Sequence, residues 1–373
     1  MKSLGVGLIG TGFMGKCHAL AWNAVRPVFA GGPAPRLLHL AEVDAGLAAR
    51  RADEFGFLRS TGDWRDVVAD PEVDVVSVTA PNQFHAEMAI AVLRAGKHLW
   101  CEKPMAPSID DAVRMRDAAR QSGKIAVLGY NYIQNPAIRH VSALLARAAI
   151  GEVNHVRIEM DEDFMADPED LFYWKNEATS GYGALDDFGV HPLSLLHVLF
   201  GPVERVMCHM ARPYAERPLK EGGRRAVETY DIASVLFELS GDISGMLALN
   251  RSAWGRKGRL TVQVFGAKGS ILFDQERFNE LQVYFADDPA GERWFRTILI
   301  GPQHPPYDRF IPAPGHGLGF NDLKVIECHE LLALIAGEPA RVISFEEGVA
   351  IEATVHAMAR SAAEQRWVEV NQP

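Results

Sequence analysis

Hydrophobic residues in the first third of the chain follow two alternating rhythms. Short, nearly unbroken apolar runs ("GVGLIG", "RLLHLAEV", "VDVVSVTA", "KHLWCE", "KIAVLGYN") alternate with segments such as "HAEMAIAVLRAG", where apolar residues recur at helical spacing. A strand that is apolar on both faces must be covered on both faces, as in a parallel sheet flanked by helices. Strand alternating with helix then requires right-handed crossovers. Residues 1–129 are predicted to form a doubly wound α/β domain. After Asn131 the rhythm changes. One helix ("PAIRHVSALLARAA") leads into "EVNHVRIEMDED", and later come "ETYDIASVLFEL", "ISGMLALNRSA", "RLTVQVFG", "SILFD" and "NELQVYFA", joined by short turns with Gly, Asp or Asn. Consecutive strands with tight connections predict a largely antiparallel sheet, so residues 130–373 are assigned to a second, α+β domain. Two helices, near Asp322–Ala336 and Glu346–Glu364, close the chain and are candidates to pack back on the first domain.

Composition narrows the class. At 373 residues the chain exceeds what one hydrophobic core usually sustains, which agrees with two domains. A net charge of −10 argues against nucleic acid or an anionic membrane as partner. No stretch approaches the roughly 20 apolar residues of a membrane span, and the glycine-broken N-terminal run is not expected to be a signal peptide. Cys17, Cys101, Cys208 and Cys328 are scattered without CxxC spacing, which suits reduced thiols in a cytoplasmic protein. No histidine joins cysteines at zinc-ligand spacing, so no metal site is expected.

The chemistry begins at "GLIGTGFMGKCHA". Gly10, Gly12 and Gly15 have G-x-G-x-x-G spacing directly after a strand and at the start of a helix. Gly10 permits a tight turn, Gly12 lets backbone approach a pyrophosphate, and Gly15 lets helix and strand pack closely. The helix N-terminus presents unpaired N–H groups to phosphates. The second strand should end in an acid for the adenosine ribose. Of the two at hand, Glu42 is nearer the strand tip than Asp44 and is preferred. A carboxylate there repels a 2′-phosphate, and neither Val43 nor Asp44 supplies a cation, so NAD is favoured over NADP.

Ligands of open α/β sheets lie beyond the carboxyl ends of the strands, where "TAPNQFH" (Thr79–His85) and "CEKP" fall. Asn82 also fits a helix N-cap, and His85 a surface helix position. Together "GLIGTGFMG", "TAPNQFHAEMAIAVLRAGKH", "CEKPMA" and "GYNYIQNPAIRH" resemble the glucose–fructose oxidoreductase / inositol dehydrogenase / MocA family along most of the chain. The second half looks most like its subgroup of levoglucosan, inositol and aldose dehydrogenases. The resemblance implies an N-terminal Rossmann domain and a C-terminal α+β domain whose open sheet makes subunit contacts, in a homodimer or homotetramer. It implies oxidation or reduction of sugars and cyclitols with a nicotinamide cofactor. The cofactor residues it implies are Gly10, Gly12, Phe13, Met14, Gly15, Glu42, Thr79, Pro81, Asn82, His85, Glu102, Lys103 and Asn131. Lys103 would steady the reacting oxygen as a cation, Glu102 would face the cofactor, and Pro104 would hold the pair still.

In "GYGALDDFGVHPLSLLHVLFG", Asp187 and His191 stand four residues apart, the spacing of one helix face. A histidine can accept a proton near neutral pH, and a carboxylate stabilises the imidazolium formed. Asp-x-x-x-His after EKP matches the family's catalytic pair. The catalytic set is therefore Lys103, Asp187 and His191, with Lys103 and His191 acting on one oxygen. Tyr132, Trp174, Lys175 and His316 are added as substrate contacts. Lys175 stands where many family members carry arginine, so a point donor replaces a planar fork. The favoured activity is oxidation of a secondary or anomeric hydroxyl of a cyclitol or sugar by hydride transfer to NAD. The competing readings are a cofactor-bound glycoside hydrolase and a non-catalytic sugar or nucleotide sensor on the same fold.

Overall fold

A computed structural model describes residues 3–373. The chain forms two units: residues up to Gln134 together with Gly319–Val349, and Asn135–Leu318 together with Ala350–Pro373. This differs from a single cut after residue 129, because Gly319–Val349 returns to the first unit.

The first unit opens with β1 (Ser3–Ile9), α1 (Phe13–Val28), β2 (Ala34–Ala41), α2 (Ala45–Phe55), β3 (Arg59–Thr61), α3 (Trp64–Ala69), β4 (Val75–Val78), α4 (His85–Arg94), β5 (His98–Cys101), α5 (Ile109–Ser122) and β6 (Ala126–Leu128). The chain continues through α6 (Pro136–Ala146), β7 (Val153–Glu162), α7 (Val190–Phe200), β8 (Val203–Ala211), β9 (Glu216–Pro218), β10 (Arg224–Ala226), β11 (Ile232–Leu239), β12 (Ile243–Asn250), β13 (Lys257–Gly266), β14 (Gly269–Asp274), β15 (Glu280–Phe285), β16 (Arg296–Leu299) and α8 (Tyr307–Phe310). It ends with α9 (Phe320–Ile335), β17 (Ile343–Ser344), α10 (Phe345–Glu364) and β18 (Val368–Glu369).

The first sheet has the order β17-β6-β5-β4-β1-β2-β3. All pairs from β6 to β3 are parallel, and β17 adds to β6 antiparallel. Strand order reverses between β1 and β4, which is where this fold binds its ligand. The short pair β3–α3 escapes the hydrophobic pattern because a three-residue strand offers no period to read. The core is apolar and aromatic: Trp22 meets Trp100 edge-on at 5.7 Å, both are buried, and the Trp22 indole donates to Ser77 Oγ at 2.9 Å. Buried tyrosine and tryptophan usually find such a partner. α9 joins this unit through aromatic contacts at both ends of α1, Phe13–Phe320 at 5.8 Å and Phe29–His329 at 4.0 Å.

The second sheet has the order β16-β15-β14-β13-β7-β12-β11-β8-β18. It is antiparallel except at β7–β12. β12 and β13 are consecutive yet not neighbours, because β7 is inserted between them. Tight connections therefore overstate the hairpin content. One row across this sheet, Met207, Leu236, Met246, Arg157, Gln263, Leu272 and Gln282, lies on a face that none of these residues leaves fully buried.

No described helix is long and apolar enough to cross a membrane.

Candidate active site

The glycine turn lies between β1 and α1. Gly10 has φ +91, and a Cβ there would sit 3.0 Å from the Thr79–Ala80 backbone. A Cβ on Gly15 would fall 2.3 Å from the Gly10 carbonyl oxygen, whereas one on Gly12 would meet nothing within 4 Å. The turn is thus closed at its first and third glycines and open at its second, where a pyrophosphate needs room. Thr79 Oγ1 donates to the Gly10 carbonyl at 2.8 Å and braces the turn. α1 has no side-chain cap and no acid in its first turn, so its N–H groups remain for an anion. Phe13 projects into solvent beside Phe320, and Met14 is half-buried.

Glu42 follows the tip of β2. One carboxylate oxygen accepts from the Thr11 amide at 3.0 Å and hydroxyl at 2.6 Å, the other from the Val43 amide at 2.9 Å. None of these partners is a cation. Asp44 instead caps α2, accepting from the Leu47 amide at 2.6 Å.

Two placements correct the reading of the strand ends, and a third adds to it. Asn82 is not the N-cap of α4; it lies in the 3₁₀ turn Asn82–Phe84, with Pro81 before it. His85 is not a surface residue. It is 1% exposed, and its ring joins the Pro104 carbonyl at 2.8 Å (Nδ1) and the Ala80 carbonyl at 2.9 Å (Nε2), tying the "TAP" and "EKP" loops together. Burial depresses its basicity more than these carbonyls raise it. Glu102 faces inward. It lies 4% exposed against His18 Nε2 at 2.8 Å and Lys324 Nζ at 2.5 Å. The reason is a buried ammonium delivered by α9, which neither spacing nor motif discloses.

Lys103 is half-buried at the exit of β5, and its peptide bond to Pro104 is cis. Beyond β6, Asn131 is buried with an amide nitrogen that lacks a protein acceptor. Tyr132 follows it, edge-on to Phe320 at 6.1 Å. The open Gly12, the uncapped helix, the cation-free Glu42 and the orphaned Asn131 amide together fit NAD.

In the second unit, Leu185–Gly189 is a single π-helical turn that runs into α7. Asp187 and His191 therefore do not share one uniform α-helical register. Such turns occur often at functional sites because they re-aim side chains. The cause is local: the buried Asp186 accepts from the Tyr182 and Gly183 amides, folding back the segment between Gly181 (φ +110) and Gly183 (φ +98). Burial, outweighing these N–H donors, pushes the Asp186 carboxyl up to about 7.

The Asp187 carboxylate takes both hydrogen bonds from Lys175 Nζ, at 2.8 and 3.0 Å. Arg251 Nη1 approaches it to 3.6 Å. Arg251 is itself buried and bound to the buried Asp231 at 2.7 Å. Arg251 and Asp231 escaped the sequence reading; their only signal is a buried charge in "TYDIAS" and "LNRSA" that a strand end must pair. Two cations and two carboxylates give this cluster no net charge. Burial and the facing Asp187 both hold the Tyr173 phenol protonated. Trp174 stays 42% exposed, with Lys175 Nζ 5.7 Å from its ring. His191 is buried in the first turn of α7. His316 is exposed on a loop, and its carbonyl accepts from the Tyr307 hydroxyl.

Two family models cover most of the chain: "Oxidoreductase family, NAD-binding Rossmann fold" matches residues 4–156, and "GFO/IDH/MocA C-terminal domain" matches residues 138–272. The chain belongs to the GFO/IDH/MocA family. Among its relatives, levoglucosan dehydrogenase of Pseudarthrobacter phenanthrenivorans is 36% identical, spanning 100% of this chain and 99% of its own. Myo-inositol 2-dehydrogenase of Thermotoga maritima is 26% identical over 79% of this chain and 81% of its own. A solved levoglucosan dehydrogenase in complex with NADH and levoglucosan superposes with a TM-score of 0.96 at 36% identity, covering 100% of both chains. An NAD-binding oxidoreductase of Klebsiella pneumoniae gives 0.96 at 37% identity, again over 100% of both. This family member is an NAD-dependent oxidoreductase.

Proposed function

We propose that the enzyme oxidises a secondary ring hydroxyl of a neutral anhydrosugar, with levoglucosan as the first candidate. The observation that carries the reading is full-length similarity to a levoglucosan dehydrogenase solved with NADH and levoglucosan. Charge balance agrees with it: Lys175, Asp187, Arg251 and Asp231 cancel, so these four side chains add no net cation to the single ammonium of Lys103, which suits an uncharged polyol. A 1,6-anhydrohexose such as levoglucosan ties both its anomeric carbon and C6 into an acetal bridge, which leaves only secondary hydroxyls to oxidise. Bound NAD supplies the hydride acceptor. His191 takes the hydroxyl proton, Lys103 steadies the oxygen as negative charge builds on it, and Asp187, pinned by Lys175, fixes the electrostatic setting of the imidazole. Trp174 offers an apolar face to sugar C–H groups, while Tyr132 and His316 add polar contacts.

Anhydrosugars, inositols and aldoses assayed with NAD and NADP test the reading through the absorbance of reduced nicotinamide. The highest kcat/KM is expected with levoglucosan and NAD, with NADP at least about tenfold poorer because Glu42 repels a 2′-phosphate. No reduction with any sugar overturns it; preference for an inositol moves the enzyme to the other branch of its relatives. We further propose a homo-oligomer, dimer or tetramer, built on the half-open sheet face that carries Leu236 and Met246. A monomeric mass by light scattering removes that proposal.

A further inference from the structure

Directly behind the EKP tripeptide lies an ionic cluster that the reaction above does not use. Lys324 on α9 is fully buried, and its ammonium spends all three protons: on Glu102 at 2.5 Å, on Glu327 at 2.8 Å and on the Gly129 carbonyl at 3.3 Å. Glu327 is 1% exposed. Glu102 takes a further hydrogen bond from His18 at 2.8 Å and receives the Lys103 amide at 3.3 Å. One carboxylate thus links α1, α9 and the backbone of the residue proposed to meet the substrate oxygen. The packing has no slack, since a Cβ on Gly129 would fall 2.4 Å from Glu102 Oε1 and 2.9 Å from Lys324 Nζ.

Burying four ionisable groups in a protein interior is expensive, and hydrophobic residues of similar volume would commonly serve stability as well. The cluster's location points to another use. We propose that Lys324 and Glu327 are positioning residues for the reaction: their shared ammonium holds Glu102, and with it the backbone from which Lys103 projects. The proposal rests on the role given to Lys103 above.

The charges behave differently from one another. Burial opposes ionisation of Glu102, but Lys324 and His18 outweigh it and hold the carboxyl well below its usual range. Burial likewise opposes the Lys324 charge, but Glu102 and Glu327 outweigh it, and the ammonium is raised to about 12. Burial drives His18 down to about 4, leaving a neutral ring that donates through Nε2. Glu327 is the group that titrates near neutrality, since burial pushes it up to about 7 against the pull of Lys324. The groups facing it are Lys324 beside it on α9, Glu102 and the Trp100 indole from β5 and its exit, and the Cys328 thiol next in sequence. From α1, the His18 ring lies against Trp100 at 3.7 Å.

The sign follows from linkage. An acid raised on folding stabilises the protein while it holds its proton, and that contribution fades as pH climbs from its unfolded value, about 4.5, through about 7. Above that range, ionised Glu327 competes with Glu102 for one ammonium. The grip on the Lys103 backbone should loosen.

Four proteins test this: wild type, Lys324→Met, Glu327→Gln, and the double variant Lys324→Met with Glu102→Gln, which removes both charges and keeps the experiment alive if the single lysine variant fails to fold. Melting temperature from pH 5 to 9, NADH affinity by fluorescence, and kcat and KM for the best sugar are measured on each. In Lys324→Met or its double partner, kcat should drop at least tenfold while NADH affinity moves less than threefold. In Glu327→Gln, the decline of melting temperature across neutral pH should flatten, together with any matching limb in kcat. Wild-type kcat in the lysine variants, or an unchanged pH profile in Glu327→Gln, overturns the inference. A wild type that turns over no sugar removes the role of Lys103 and this proposal with it. A turning-over wild type beside unimpaired variants removes this proposal alone.

Discussion

Lys103→Met is expected to lower kcat by about three orders of magnitude, roughly 4 kcal/mol of transition-state stabilisation, with NADH affinity within about threefold of wild type. Methionine approximates the length and apolar stem of lysine but carries no charge, so the variant removes the ammonium and little else. Its backbone amide, close to Glu102, is untouched. A cation beside an oxygen that develops negative charge matters most in the transition state, so the loss should appear in kcat more than in KM. Lysine and arginine are not equivalent here. Lys103→Arg should recover only part of the rate, because a planar fork cannot take the place of a compact ammonium at the half-buried exit of β5. The measurement is steady-state kinetics beside a fluorescence titration with NADH. Unchanged turnover in Lys103→Met would remove the lysine from the chemistry.

Local chemistry made part of this site readable from sequence, and distance hid the rest. The glycine turn is written in three residues of fixed spacing: Gly10 and Gly15 meet the close packing that the spacing implies, and Gly12 is left open. Glu42 was preferred to Asp44 for its place nearer the strand tip, and the structure adds that Asp44 is drawn into capping α2. Glu102 shows the limit. Its place beside Lys103 does not disclose that it is also the buried counter-ion of Lys324, 222 residues along the chain. Nothing local marks Lys324; on a helical pattern it looks like any solvated lysine. The same holds for Arg251, drawn to Asp231 and Asp187 only when β11 and β12 are side by side. His85 was misread because helix periodicity says which face a residue occupies but not that the face is covered. The fold was clearer than the site, since parallel strands advertise themselves by continuous apolar runs. Still, the antiparallel half hid its one parallel pair, β7–β12, which no sequence rhythm distinguishes.

The second large effect is expected at His191. His191→Asn should reduce kcat by about 10²- to 10⁴-fold, the usual worth of a positioned general base, with a smaller change in KM. Asparagine keeps a polar side chain in the first turn of α7 but cannot accept a proton near neutral pH. The pH profile separates a base from a merely structural residue. In wild type, kcat/KM should fall on the acid side as the base becomes protonated, and in His191→Asn the small residual rate should lose that limb. A competing origin sits five residues away: Asp186, buried in the π turn, has its carboxyl pushed up to about 7 and would also change charge in this range. The two can be told apart. Asp186→Asn disturbs the bonds to the Tyr182 and Gly183 amides, so it should lower melting temperature, yet it should leave the acid limb in place. If the limb disappears with Asp186 and survives the loss of His191, proton acceptance belongs to the carboxyl, and the imidazole is reduced to a packed neighbour of the π turn.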